Sequence, residues 1–331
     1  MFRYFYSLRL LPYKHTSVGL FFALLIGLCS SSAAAEGLPT LSLSVLQYGT
    51  AHWELAHVQR RGLDRDQGFL LELRPVANLP ASRLALTGAS VDGAVADLLW
   101  VQSRYESDAH LVFVPFSTRI GELVVAPDSD IVGFGDLVGK RIGVAGGPDS
   151  KGWILMQRVA ADQGIDLAAS NQIQYGAPPL LSEALKRGRL DAVVTYWHFA
   201  ARLQAEGAGR SVMPLASLLA ELSLEQNLPV LGYVFRADWS AEHRDLLARF
   251  ASAIRQAKAE LAADPAAWDG VRALMRAPDD RVYQALRNGF IAGTPGPLDD
   301  RRIASLRQLL ALTGADRERI MPPSLFYREG P

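Results

Sequence analysis

Two short patterns recur at one fixed separation along this chain, and that recurrence limits its architecture more than any other feature. Val45-Leu46-x-x-Gly49 followed by Trp53 is echoed by Val144-Ala145-Gly146-Gly147 followed by Trp153. Leu86-x-Gly88-x-x-x-Asp92 followed by Val95 is echoed by Leu185-x-x-Gly188-x-x-Asp191 followed by Val193. Leu46 to Ala145 and Asp92 to Asp191 are both steps of 99 residues. Each half therefore carries a strand–turn–helix and, further on, a helix–Gly–Asp–strand. Two copies are too few for a solenoid, whereas two similar α/β lobes account for them.

The clearest copy runs from Asp136 to Ile165. Lys140 and Arg141 precede the β-branched run Ile142-Gly-Val144. Ala145-Gly146-Gly147-Pro148-Asp149-Ser150 then turns, and Trp153, Ile154, Leu155, Val159 and Ala160 recur at helical spacing. Asp149 or Ser150 is placed to cap the new helix. Its first N–H groups and positive dipole end would face whatever lies above the sheet, a setting suited to a small polar or anionic group. The turn is neither G-x-G-x-x-G nor G-x-x-x-x-G-K-[ST], so nucleotide binding has no support.

Further strands are expected at 41–46, 69–76, 92–96, 110–116, 122–126, 173–175, 191–195 and 230–235. Past Ala241 the pattern turns helical, over about 241–262, 265–275, 279–292 and 299–313. Strands alternating with helices imply mostly parallel sheets covered on both faces. Ligands then bind at loops beyond the strand carboxyl ends, and two lobes bring those loops together across a cleft. The expected lining is Tyr48, Gly49, Thr50 and Trp53; Asp97; Ser117, Thr118 and Arg119; Gly147, Asp149 and Ser150; and Tyr196 and Trp197. Trp53 and Trp197 are assigned to the cleft, and Trp100 and Trp153 to packing of their helices. Asp97 either caps the helix opening at Leu98 or meets a cationic group. His52 and His198 also stand in the candidate lining but read more as turn or surface residues than as ligands.

The N-terminus reads as a targeting segment. Arg3, Arg9 and Lys14 precede the apolar run Val18–Leu28, and Ala33-Ala34-Ala35 offers a cleavage site after Ala35. Leu28 stands where a lipidation site needs a small residue, so Cys29 ranks below simple cleavage. Cys29 is the only cysteine, and the mature chain would hold no disulfide, thiolate metal site or cysteine nucleophile. The 34 basic residues balance 34 acidic ones, so nothing argues for nucleic acid. Neither G-x-S-x-G nor H-E-x-x-H occurs, which argues against an enzyme. No cofactor or metal is expected.

Several elements resemble a known family. They are Leu84-x-x-x-Gly88-x-x-x-Asp92-Gly-Ala94, Asp136-Leu137-x-Gly139-Lys140-Arg141-Ile-Gly-Val144, Ala184-Leu185-x-x-Gly188-x-x-Asp191-Ala192, and Phe235-Arg236-Ala237-Asp238 leading into a helix with Phe250 and Ala253. In order and spacing they resemble periplasmic substrate-binding proteins of ABC transporters, in the nitrate, taurine and alkanesulfonate group that also includes thiamine-precursor binders. The likeness spans Leu41 to Met275. It implies an α/β, type II periplasmic-binding-protein fold. The lobes would be 36–119 with 230–331, and 120–229, after a signal peptide 1–35, with crossovers near Thr118–Leu123 and Asn227–Tyr233. It also implies a monomer that closes on a small molecule, docks on a membrane permease working with an ATPase, and catalyses nothing. Alkanesulfonate binders grip the anionic head with turn N–H groups and an arginine, roles that Gly147–Ser150 and Arg119 would take here. The rival reading is an accessory protein of the same fold that binds an exported redox enzyme or a sensor.

Overall fold

The computed structural model describes residues 37–328, so the expected signal peptide, its cleavage after Ala35 and Cys29 lie outside the described residues. Ten strands form two sheets. The first is built from β1 (Thr40–Leu46), β2 (Leu70–Val76), β3 (Gly93–Asp97), β4 (Leu111–Ser117) and β10 (Leu231–Arg236). The second holds β5 (Glu122–Val125), β6 (Arg141–Ala145), β7 (Gln172–Gly176), β8 (Ala192–Thr195) and β9 (Arg210–Pro214). Their orders, β2-β1-β3-β10-β4 and β7-β6-β8-β5-β9, are the same topology written twice.

Both sheets are mostly parallel, as alternating strands and helices imply, with one antiparallel strand in each. After β4 the chain leaves the first sheet and enters the second as β5, antiparallel to β8 and β9. After β9 it returns as β10, antiparallel to β3 and β4. The first crossing is tight. Gly121 sits at φ 151°, and a Cβ there would lie 2.3 Å from the Thr195 carbonyl oxygen, so only glycine passes.

The 99-residue echo is carried by whole elements. The helix Leu79–Thr87 and the helix Pro178–Lys186, β3 and β8, the helix Leu98–Glu106 and the helix Trp197–Ala205, and β4 and β9 all begin 99 residues apart. The repeated aspartate has a structural task. Asp92 Oδ2 accepts from the Ser42 N–H at 2.8 Å, and Asp191 Oδ2 accepts from the Arg141 N–H at 2.8 Å. Each carboxylate thus holds the neighbouring parallel strand at its start. The Arg141 guanidinium also donates to Asp191, at 3.0 and 2.6 Å. That bonding holds the Asp191 carboxyl below the usual carboxylate range.

One expectation changes. The stretch 265–275 is not one helix but a 3-10 turn, Pro265–Trp268, followed by the short helix Arg272–Met275. The strand expected over 191–195 ends at Thr195, and Trp197 opens a helix. Aromatic packing fills the space behind the first sheet, where Trp53, Phe116, Tyr233, Phe235, Phe250, Trp268 and Phe290 are buried together.

Candidate functional site

Three helices begin around one cavity of about 80 Å³. The helix Thr50–Arg61 follows β1, the helix Lys151–Asp162 follows β6, and the helix Trp197–Ala205 follows β8. Gly49, Thr50, Lys151, Tyr196, Trp197 and His198 all line the cavity. The residues at the cap positions are Gly49, Ser150 and Tyr196, and none makes a side-chain cap hydrogen bond. The expected Asp149 or Ser150 cap is therefore not made. Some other helices are closed by their own side chains, as at Asn78, Asp279 and Asp299, while those starting at Pro178, Ala237 and Arg244 also lack a side-chain cap. At the cavity no side chain takes the first N–H groups, the His52 and Phe199 N–H groups turning back to the Gly49 and Tyr196 carbonyls, and each helix directs its positive end there.

Of the residues expected from sequence, Gly49, Thr50, Asp97, Arg119, Tyr196, Trp197 and His198 meet in this cavity. The others stand outside its lining. Tyr48 is 45% exposed and lies under the Arg276 guanidinium, whose carbon is 4.0 Å from its ring centroid. Trp53 is not a cleft residue: it is 1% exposed and packed among Trp197, Trp268 and Phe290. Ser117 and Thr118 are spent on the crossing, Ser117 Oγ accepting from the Arg119 N–H at 3.1 Å and the Thr118 N–H donating to the Gly293 carbonyl at 3.0 Å. Gly147, Asp149 and Ser150 form the turn beside the cavity, where Asp149 accepts from Arg83 at 2.9 Å.

Sequence reasoning missed two polar residues, Lys151 and Arg83. Lys151 is the first residue of its helix, so following the glycine turn one residue further would have found it. Among the described residues no carboxylate lies within ion-pairing distance of Lys151; its ammonium nitrogen is 5.9 Å from the Tyr196 ring centroid. Burial pushes its pKa down, with Asp97 pulling the other way. Arg83 joins the two halves of the site, donating to Asp97 at 3.2 Å and to Asp149 at 2.9 Å. Asp97 also caps its helix, accepting from the Trp100 N–H at 3.0 Å, so both of its oxygens are committed. Arg119 pairs with Glu122 at 3.5 Å, and its guanidinium carbon lies 5.6 Å from the Trp197 ring centroid. Burial raises the Tyr196 phenol to about 12, which keeps it protonated.

His198, which the sequence places in the candidate lining but reads more as a turn or surface residue, does line the cavity. It is buried, and burial followed by the charges of Arg202 and Lys151 lowers its pKa to about 3. The unfolded chain takes up a proton at this histidine below about pH 6.5, and the folded chain does not. Stability is therefore intact above that pH and falls as the pH drops towards 3. At about pH 4.5 the loss from His198 is expected to be roughly 2–3 kcal/mol. Buried His57 shifts in the same direction. Urea denaturation near pH 7.5 and pH 4.5 reads the difference, and His198→Phe should shrink it by that amount.

The profile of the family described as NMT1/THI5 like matches residues 52–267. No curated protein matches the sequence. Solved structures resemble the fold closely. The alkanesulfonate-binding protein SsuA from Xanthomonas axonopodis pv. citri, bound to MOPS, superposes with a TM-score of 0.68 at 17% identity, over 87% of this chain and 98% of that one. The periplasmic aliphatic sulphonate binding protein SsuA from Escherichia coli gives 0.68 at 16% identity, over 85% and 97%. The ligand binding component of an ABC-type import system from Staphylococcus aureus gives 0.66 at 13% identity, over 87% and 97%. At these identities the likeness is one of fold, that of periplasmic binding proteins.

Proposed function

The chain belongs to the NMT1/THI5-like family, and from that premise we propose that it is the solute-binding component of an ABC importer. It works in the periplasm, captures a small organic anion between its two sheets, and delivers it to a membrane permease served by an ATPase. It binds its solute and does not transform it.

One observation carries this reading. Three uncapped helix N-termini and Lys151, a half-buried amine with no carboxylate within ion-pairing distance, open on the same cavity. Desolvation makes an unpaired ammonium costly, and an anion in the cavity offsets that cost. Val45, Leu46, Leu79, Val95 and Ile120 supply an apolar wall, so the favoured solute has a compact anionic head and an apolar body, as in a sulfonate or carboxylate. The bridge Asp97–Arg83–Asp149 ties the end of β3 to the turn after β6. It supports closure of the two halves around a solute by hinge motion.

The test is a calorimetric titration with propane-1-sulfonate and with its uncharged counterpart, propane-1-sulfonamide. Binding of the sulfonate alone supports the reading. Equal binding of both would remove its basis.

A further inference from the structure

Arg202 lies on the helix Trp197–Ala205, which follows β8 of the second sheet. Its half-buried side chain reaches the stretch of chain that follows β10 of the first sheet. Nη1 donates to the Arg276 carbonyl at 3.0 Å, and Nη2 donates to the Met275 carbonyl. Met275 is wholly buried and ends the short helix Arg272–Met275. Arg276, next along, sits in the left-handed region at φ 49° and ψ 39°. That backbone is costly for a residue with a Cβ and persists only where its surroundings hold it. The last carbonyls of a helix have no partner within it. Here two of them meet one guanidinium from 73 and 74 positions away. The Arg276 side chain lies over Tyr48, the neighbour of Gly49 in the cavity wall. Arg202, Met275 and Arg276 themselves stand outside the cavity lining.

We propose that Arg202 is the latch of the closed arrangement. It fastens the half that carries the second sheet to the half that carries the first, and so sets how long a captured solute stays. The inference rests on the solute-binding reading, and in it Arg202 is a positioning residue that never touches the solute. Its two bonds are charge-assisted and exist only while the halves are together. Opening the cleft breaks both. Apparent affinity scales with the fraction of molecules in the binding-competent arrangement. Loss of the latch therefore weakens every solute by one common factor, and that loss appears as faster release. A residue that touches the solute would instead weaken different solutes unequally.

The experiment measures the binding and release of propane-1-sulfonate and butanoate by stopped-flow tryptophan fluorescence, which Trp197 in the cavity wall makes sensitive to the solute. It uses the wild type, Arg202→Met, Arg202→Lys and Arg276→Gly. Arg202→Met should release both anions about 10-fold faster, with Kd raised by the same factor for each. Small-angle X-ray scattering should show Arg202→Met to be wider than the wild type without solute and to contract when saturated. Loss of a merely structural contact would lower the urea midpoint without moving either readout. Arg202→Lys keeps a charged donor and should recover part of the wild-type release rate, and it serves as the test if Arg202→Met does not fold. Arg276→Gly keeps the accepting carbonyl and should release at the wild-type rate. Unchanged release from Arg202→Met, or clearly different factors for the two anions, overturns the latch and leaves anion capture standing. Absence of wild-type binding to both anions overturns both.

Discussion

Trp197→Ala is expected to lower the stability of the fold by about 3–5 kcal/mol and to take ligand binding with it. The indole is 4% exposed. It meets Trp53 edge to face, with centroids 6.3 Å apart and planes at 83°. Below it the helix Asp280–Ala292 offers bare backbone at Gly289, where a Cβ would lie 2.4 Å from the Trp197 ring. A helix that starts beside the second sheet is thus seated on a helix that covers the first, and truncating the ring leaves a void that neither can close. The same ring forms part of the cavity wall. Urea denaturation beside a binding titration separates the two effects. A stability loss under about 1 kcal/mol with binding gone would make Trp197 a pure cleft aromatic, as the sequence alone suggests.

The second large effect lies deeper. Glu54 is fully buried, and Lys258 Nζ stands 2.5 Å from its Oε2 while the Tyr233 hydroxyl donates to its Oε1 at 2.7 Å. Burial pushes the Glu54 carboxyl up, and the adjacent ammonium pulls it down. Lys258 also lies 4.6 and 5.0 Å from the ring centroids of Phe116 and Phe290. Glu54→Ala should cost about 3–5 kcal/mol, because it strands an ammonium among aromatic rings. Glu54→Leu combined with Lys258→Met should recover most of that loss, since a buried ion pair replaced whole by apolar residues is often neutral. Denaturation of both single variants and the double variant gives the coupling directly. Strictly additive losses would show that the pair does not act as a unit.

The repeat was the most legible part of this chain. The offset between Asp92 and Asp191 is visible in the sequence, and the structure gives it a cause: both carboxylates hold the N–H of the neighbouring strand, at Ser42 and Arg141. The motif speaks for the fold and not for the ligand. The glycine turn before Lys151 also announced a helix start facing the cavity. What stayed hidden depends on contacts between distant residues. The antiparallel insertion of β5 and β10 leaves no trace in their short apolar runs. Trp53 and Trp197 both fall just past strand ends, yet one is wholly core and the other is both core and wall, since helical spacing cannot tell which side of a ring its neighbours occupy. The edge strand β9 is only half-buried and lacks the apolar alternation that reveals a strand. Arg83 draws its meaning from Asp149, 66 positions away. His198 looks like a turn residue until the helix that begins at Trp197 buries it.

The most direct test of anion capture is the titration of the wild-type protein and Lys151→Met with propane-1-sulfonate and propane-1-sulfonamide. The sulfonate should bind the wild type and raise its melting temperature, by several degrees once it is well above its dissociation constant. The sulfonamide should do neither, and Lys151→Met should weaken the sulfonate by about 10-fold or more. Equal binding of sulfonate and sulfonamide, or an affinity unchanged by Lys151→Met, would contradict a cavity organised around an anion.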